Sequence, residues 1–452
     1  MLDMMKDKIA AIHSDYGELH FEKSESCEIA YSNDNIERIG NAKTSGGNAR
    51  VLKNNGWGFV SFNIPDFDTY IPAAERNAEL VGRGKSEIFT DHHPVIVETE
   101  TEYKIDPVSV SLEEKNDLIR KYNDLMKHPK IANTAVRYVD SRVERYFVNT
   151  DGSAIRKLRT FTGIVWKALA RDGTNVQFAF DTVGGCAGYE NVIGLEDRIL
   201  EIKERALKLL DATKVKAGKY RVLLNPMLAG TFVHEAFGHL SESDRLYENP
   251  RLKDILLMGK EFGPEYLNIV DDGSLPGYAG YTPFDDEGIP ARKNYLIQNG
   301  ILTGRLHSRE TAAKMNEPPS GNARAINSAF QPIVRMTNTF IENGTASFDE
   351  MLAFIGDGIY ACDDIGGMTD DEMFTFSAAY AYRIRNGKIA ELLRDVVLTG
   401  NVFSTLKNIR MIGNDLKIFG GLGGCGKGGQ SPLPVGLGSP HILIDDVLIG
   451  GE

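Results

Sequence analysis

Short runs of alternating apolar and polar residues, separated by Asn-Gly and Gly-rich turn signals, recur along this 452-residue chain, and its helical patterns stand apart from them. This arrangement is the strongest constraint on the fold. Strands joined by tight turns pair antiparallel, whereas a parallel winding needs a helix or long crossover between successive strands. The expectation is an α+β protein. In the first half, residues 18–33, 49–54 and 58–63 read as strands, with Gly46-Gly47 and Asn54-Asn55-Gly56 as turns. Helical spacing predicts helices over 1–12, 70–82, 112–127 and 195–213, the third opened by Ser111 with Glu114 as its capping-box partner. Strand-like runs fill 131–181.

The pattern changes near Ala217-Gly218, and a domain boundary is placed there. Residues 1–217 are expected to form a mixed sheet with helices on it. Residues 218–452 are expected to be mainly antiparallel β and to carry the helix of the candidate metal site. In that half, 220–226 reads as a buried strand and 227–240 as a helix, while Asn299-Gly300 and Asn386-Gly387 mark hairpins.

Composition narrows the function. Apolar residues make up 42% and charged residues 25%, ordinary values for a globular chain. Lys plus Arg total 51 against 63 for Asp plus Glu, so the formal net charge is −12. Such a surface does not track phosphates, and nucleic acid is not expected as a partner. Four scattered cysteines, Cys27, Cys186, Cys362 and Cys425, form no disulfide framework and suit a reducing compartment. The N-terminus lacks the basic start and long apolar stretch of a signal peptide, and no run of 18 apolar residues occurs. A soluble cytoplasmic protein without membrane contact is the expectation.

The most informative residues are His234-Glu235-Ala236-Phe237-Gly238-His239. They look like the zinc-protease signature HExxH with one residue inserted. In an ideal helix, at about 100° per residue, positions i and i+5 lie about 140° apart and cannot share a metal. Two distortions rescue the pair. One is a π-type turn; the other is a helix that ends at Gly238, so that His239 returns from non-helical backbone. Gly238 stands where the second needs it. A capped helix with one core and one surface histidine is the plainer alternative. Glu235 favours chemistry, because a carboxylate beside a ligand histidine can deprotonate a zinc-activated water. Glu242 and Asp244 are candidates to orient the imidazoles through their second nitrogens, or simply a solvated acidic turn.

A catalytic zinc needs a third protein ligand. Cys425, Cys362, the run Asp285-Asp286-Glu287-Gly288, His307 and His441 are the candidates. Cys425 lies in GGLGGCGKGGQSPLPVG, where glycines leave room for a close approach and give a thiol little to pack against. The same loop contains GxGxxG and the start of GxxxxGK. Both phosphate motifs need a helix directly after the glycines, and Pro432 and Pro434 deny it.

HEAFGH followed by Glu242 and Asp244, then FDDEG, GNARA, PIVRMTNTFI and GNDLKIFGGLGGCGKGGQSPLPVGLGSP together resemble the TldD/PmbA family, and more closely its TldD branch of zinc metallopeptidases. ERIGNAKTSGGNARVLKNNGWGFVSFN extends the likeness to the N-terminal half. The resemblance implies a two-domain protease of short or unfolded peptides. It implies one zinc per chain, held by His234, His239 and Cys425, with Glu235 as general base. It also implies a homodimer, or a heterodimer with a PmbA-like sister subunit. From the residues themselves, Arg335 in VRMTN is a candidate to stabilise the oxyanion or a peptide carboxylate, or simply to pack or pair with an acid, and Asn338 with the strands around 331–341 to hold an extended peptide by strand addition. Two rivals stand beside this reading: a non-catalytic subunit with a structural or vestigial metal site, and a metal-dependent amidase of non-peptide substrates.

Overall fold

In the computed structural model, which describes residues 1–84, 93–370 and 372–450, the first half of the chain builds one seven-stranded sheet. Its strands are β1 (Tyr16–Ser32), β2 (Asn35–Lys53), β3 (Gly56–Phe62), β4 (Ile96–Glu100), β5 (Ile131–Asn149), β6 (Ala154–Asp172) and β7 (Asn175–Gly185). The order β3-β2-β1-β5-β6 is antiparallel throughout. One edge of the long β6 is then shared: β4 runs parallel to its first five residues, and β7 pairs antiparallel with the rest. The sheet is mixed, as expected.

Helices cover this sheet as two apolar clusters. In α1 (Leu2–Ile9) Met5, and in α2 (Phe67–Val81) Phe67, Ile71, Ala74 and Ala78, face Leu19, Ala49 and Val51. In α3 (Leu112–Leu125) and α4 (Glu196–Leu210), Ile119, Tyr122, Ile199, Ile202 and Ala206 pack against Ile29, Val136, Tyr138 and Trp166. The recurring three- and four-residue spacing produces these buried stripes. The Ser111 hydroxyl accepts from the Glu114 amide at 3.1 Å and starts α3. The turn at 54–56 also forms, with Asn54 and Asn55 in the left-handed region.

Gly46-Gly47 is no turn. Both residues lie inside β2, which runs unbroken to Lys53. A Cβ on Gly47 would stand 2.5 Å from the His20 carbonyl oxygen and 2.6 Å from the Phe62 ring. These glycines therefore admit a neighbour rather than bend the chain.

The chain enters a second sheet at Thr213–Lys214, which pairs with Lys388–Arg394, just ahead of the boundary expected near 217. Here the strands Gly358–Asp370, Gly218–Leu224, Ile442–Gly450, Val396–Asn401 and Met373–Arg385 follow one another in space. The last also pairs with the first, so the five close into a ring. A further six-stranded sheet carries Ile301–Leu302, Lys293–Gln298, Ile269–Asp272, Asn338–Ile341, Gly436–Ser439 and Lys417–Phe419. Most pairings are antiparallel; Gly218–Leu224 with Gly358–Asp370, Asn338–Ile341 with Gly436–Ser439 and Thr213–Lys214 with Lys388–Arg394 are parallel. Both predicted Asn-Gly hairpins form, with left-handed Asn299-Gly300 and Asn386-Gly387. No helix among the described residues is long and apolar enough to cross a membrane.

Candidate metal centre

The site begins on α5 (Pro226–Val233), whose first turn is set by Asn225: its side chain accepts from the Leu228 amide at 3.0 Å, and Pro226 needs no donor there. The helix is apolar nearly all round. Leu228, Phe232 and Val233 are buried in the main core with Phe374, Phe376 and Ile444, which fixes its axis. A π turn over His234–Gly238 continues it, and His239–Ser241 follows as a 3-10 turn. The amide of His239 bonds to the carbonyl of His234, a bond one residue wider than an α-helical one. This widening brings the i and i+5 histidines together.

The stop at Gly238 expected as an alternative does not occur. Gly238 is right-handed, at φ −57° and ψ −52°. The close packing there suits glycine: a Cβ would lie 2.1 Å from Met336 Sδ and force that side chain or the turn to shift.

Cys425 arrives from the far end of the chain on a hairpin of Cys425–Lys427 with Gln430–Leu433. The glycines before it run along β7. The Leu422 amide donates to Thr182 Oγ1 at 2.9 Å, and a Cβ on Gly421 would stand 2.3 Å from Thr182 Cγ2. Arg335 holds the hairpin from beneath, donating to the carbonyls of Cys425 at 2.7 Å and Gln430 at 3.2 Å.

The three side chains converge. Sγ of Cys425 is 3.3 Å from Nε2 of His239. One ligand atom from each of His234, His239 and Cys425 falls within 4.8 Å of the others. Ligands at about 2.3 Å (S) and 2.1 Å (N) from a common tetrahedral zinc would be separated by roughly 3.5 Å. His234 is 3% exposed, yet among the described residues its Nδ1 finds no hydrogen-bond partner, an arrangement a purely structural histidine avoids. Burial pushes the Cys425 thiol up, but His234 and His239 outweigh it and bring it down to about 6, favouring the thiolate. Burial likewise lowers His239, while Cys425 and Glu242 raise it to about 10. Two imidazoles and a thiolate are a donor set that fits zinc.

Glu242 supports His239. Its Oε2 is 2.9 Å from Nδ1, which leaves Nε2 towards the sulfur. Burial raises this carboxyl, but His239 and Lys427 hold it below its ordinary value. Asp244 does not touch an imidazole. It accepts from Lys427 Nζ at 2.7 Å, and Lys427 also reaches Glu242 at 3.2 Å. Lys427, two residues after Cys425, was not anticipated; its place in the CGK triplet was the available signal.

Glu235 is partly exposed, with Oε2 3.8 Å from His239 Nε2. It lines a cleft of about 620 Å³ together with His234, Cys425, the glycines 420–424, Tyr360 and Asp364. The other expected ligands do not join the group, although His441 lines the same cleft. Asp286 pairs with Lys157 at 2.8 Å and Glu287 with Arg50 at 2.9 Å, tying the first sheet to the second half. His307 is bound between Ser243 and Glu317, and His441 between Asp415 and Tyr360. The buried Cys362 thiol is pushed far up by burial and by Asp363.

Arg335 and Asn338 are not cleft residues. Arg335 is fully buried beneath the Cys425 hairpin, and Asn338 is fully buried between the Gly280 amide and the Asp272 carbonyl. Both Nη atoms of Arg335 and both side-chain polar atoms of Asn338 bond to backbone, away from the cleft, so the expected peptide contacts are corrected to structural ones.

Comparison with known proteins places the chain in a family. Residues 217–451 match the PmbA/TldA metallopeptidase C-terminal domain, 105–211 the central domain and 17–80 domain 1. A protein named metalloprotease from Synechocystis sp. is 41% identical over 97% of this chain and 95% of its own length. A zinc metalloprotease TldD homolog of Saccharolobus solfataricus is 28% identical over 98% of each chain. The crystal structure of TldE from Thermococcus kodakarensis shares the fold, with a TM-score of 0.77 and 18% identity over 100% of this chain and 99% of that one. The chain belongs to the PmbA/TldD metallopeptidase family.

Proposed function

We propose that this chain is a zinc-dependent metallopeptidase acting on short or unfolded peptides in the cytoplasm, with one zinc on His234, His239 and Cys425 and with Glu235 as general base. The convergence of those three side chains beside an accessible carboxylate carries the reading. When bound, zinc supplies a Lewis acid for the scissile carbonyl and for the attacking water. The chain's own residues do the rest. Glu235, at the floor of the cleft, takes the proton from the water and returns it to the departing amine nitrogen. Glu242 accepts from Nδ1–H of His239 and so holds the tautomer that leaves Nε2 free to ligate. Lys427 keeps Glu242 charged and in place. The cleft, at about 620 Å³, admits a chain segment and not a folded domain. A homodimer, or a pairing with a PmbA-like sister subunit, is part of the same proposal.

The test is Glu235→Gln, with metal content and peptide hydrolysis measured on the same preparation. Retained zinc with hydrolysis reduced by about 100-fold or more supports the assignment. Undiminished hydrolysis with zinc bound contradicts it. Zinc in the parent without any turnover would favour the non-catalytic subunit.

A further inference from the structure

Away from the metal centre, a cavity of about 70 Å³ lies where β6 meets the second half of the chain, and both Arg159 and Arg324 line it. Arg324 is the arginine of GNARA, a motif the metal centre does not use. It is 6% exposed. Its Nη1 donates to the Met336 carbonyl at 2.5 Å and its Nη2 to the Pro434 carbonyl at 2.8 Å. Arg159 donates to the Ala279 carbonyl at 2.8 Å and to Cys186 Sγ at 3.1 Å. Among the described residues, neither guanidinium has a carboxylate partner.

The two acids in the cavity wall do not supply one. Asp286 is taken up by Lys157 at 2.8 Å, Arg145 at 3.3 Å and the Ala325 amide at 2.9 Å. Glu100 lies at the exposed rim. Burial and the nearby Arg159 draw Arg324 down to about 10, and the attraction of Asp286 and Asp271 only partly offsets them. A buried cation facing a second cation is costly unless an anion joins them. The space suits one: at about 70 Å³ it exceeds what a single water needs and is of the order of a small oxyanion.

We propose that this cavity binds a small oxyanion, of the phosphate or carboxylate class, between Arg159 and Arg324. Each guanidinium keeps an N–H beyond those given to carbonyls and sulfur, and planar guanidinium donors match paired oxygens. The bound anion also braces the metal centre's hairpin, because the cavity wall includes Leu433, which pairs with Cys425. The proposal stands independently of the peptidase reading.

Isothermal titration of the full-length, metal-loaded protein with inorganic phosphate, and separately with acetate, tests it at constant ionic strength over a chloride background. The expected result is saturable binding of one anion per chain, weakened tenfold or more in Arg159→Gln, with an anion-dependent rise in thermal midpoint that the variant loses. Arg159 is partly exposed, so this variant spares the buried Arg324; Arg324→Gln is the second variant. Tighter binding of phosphate than acetate assigns the phosphate class, and the reverse assigns a carboxylate. No binding of either anion overturns the proposal, as does unchanged binding in Arg159→Gln. Binding that is lost in His234→Ala but kept in Arg159→Gln would move the anion to the metal centre and overturn it as well.

Discussion

Met336 fills the space that a side chain at position 238 would need, its Sδ standing 2.1 Å from where a Cβ on Gly238 would be. Gly238 is the last residue of the π turn, and Met336 belongs to the segment leading into the strand Asn338–Ile341. A tight contact between distant parts of the chain thus holds the widened turn on which the His234–His239 pair depends.

Gly238→Ala is expected to break that contact. Overpacking of this kind costs roughly 1–3 kcal/mol. Relief by shifting the turn would also separate the two imidazoles. Denaturant unfolding should show the stability loss, and elemental analysis should show less than the parent's zinc. A variant equal to the parent in both would mean that the contact is slack.

Glu242→Gln keeps the size of the residue and removes the charge that holds Nδ1 of His239. Loss of such a supporting partner typically lowers metal affinity by about 10–100-fold. Competition with a chelator measures this directly. Unchanged affinity would show that Glu242 serves Lys427 alone.

Asp286, buried between Lys157 and Arg145, is held well below its ordinary value: burial raises it, but the two cations outweigh burial. Its contribution to stability is therefore complete above the unfolded value, about 3.9. It is lost as the pH falls below that value towards the depressed folded one. Denaturation midpoints of the parent should fall more steeply on acidification through this range than those of Asp286→Asn. Parallel profiles would show that the pair across the two halves is not coupled to folding.

Much of this organisation was legible from residue order. Periodicity located α2, α3 and α4 and the Asn-Gly hairpins because local geometry alone produces those patterns. What escaped depends on contacts distant in the chain. Gly46-Gly47 has turn composition, yet its glycines serve the close approach of Phe62 and His20 within a straight strand. The two-histidine spacing announced a distortion of the helix but not which one, because i and i+5 fit a π turn and a helix stop equally well. Arg335 offers a cation in VRMTN, which suggests a substrate contact; burial turns it instead towards the carbonyl of Cys425. The path of the glycines 420–424 is set by β7, more than 200 residues earlier, as in the Leu422–Thr182 bond with its sequence separation of 240.

The central claim is a zinc centre closed by Cys425. Elemental analysis of zinc per chain, on protein purified without added metal and beside Cys425→Ala, tests it most directly. The structure predicts near one zinc in the parent and a large loss in the variant. Zinc fully retained by Cys425→Ala, or absent from the parent even after zinc is supplied, would contradict it.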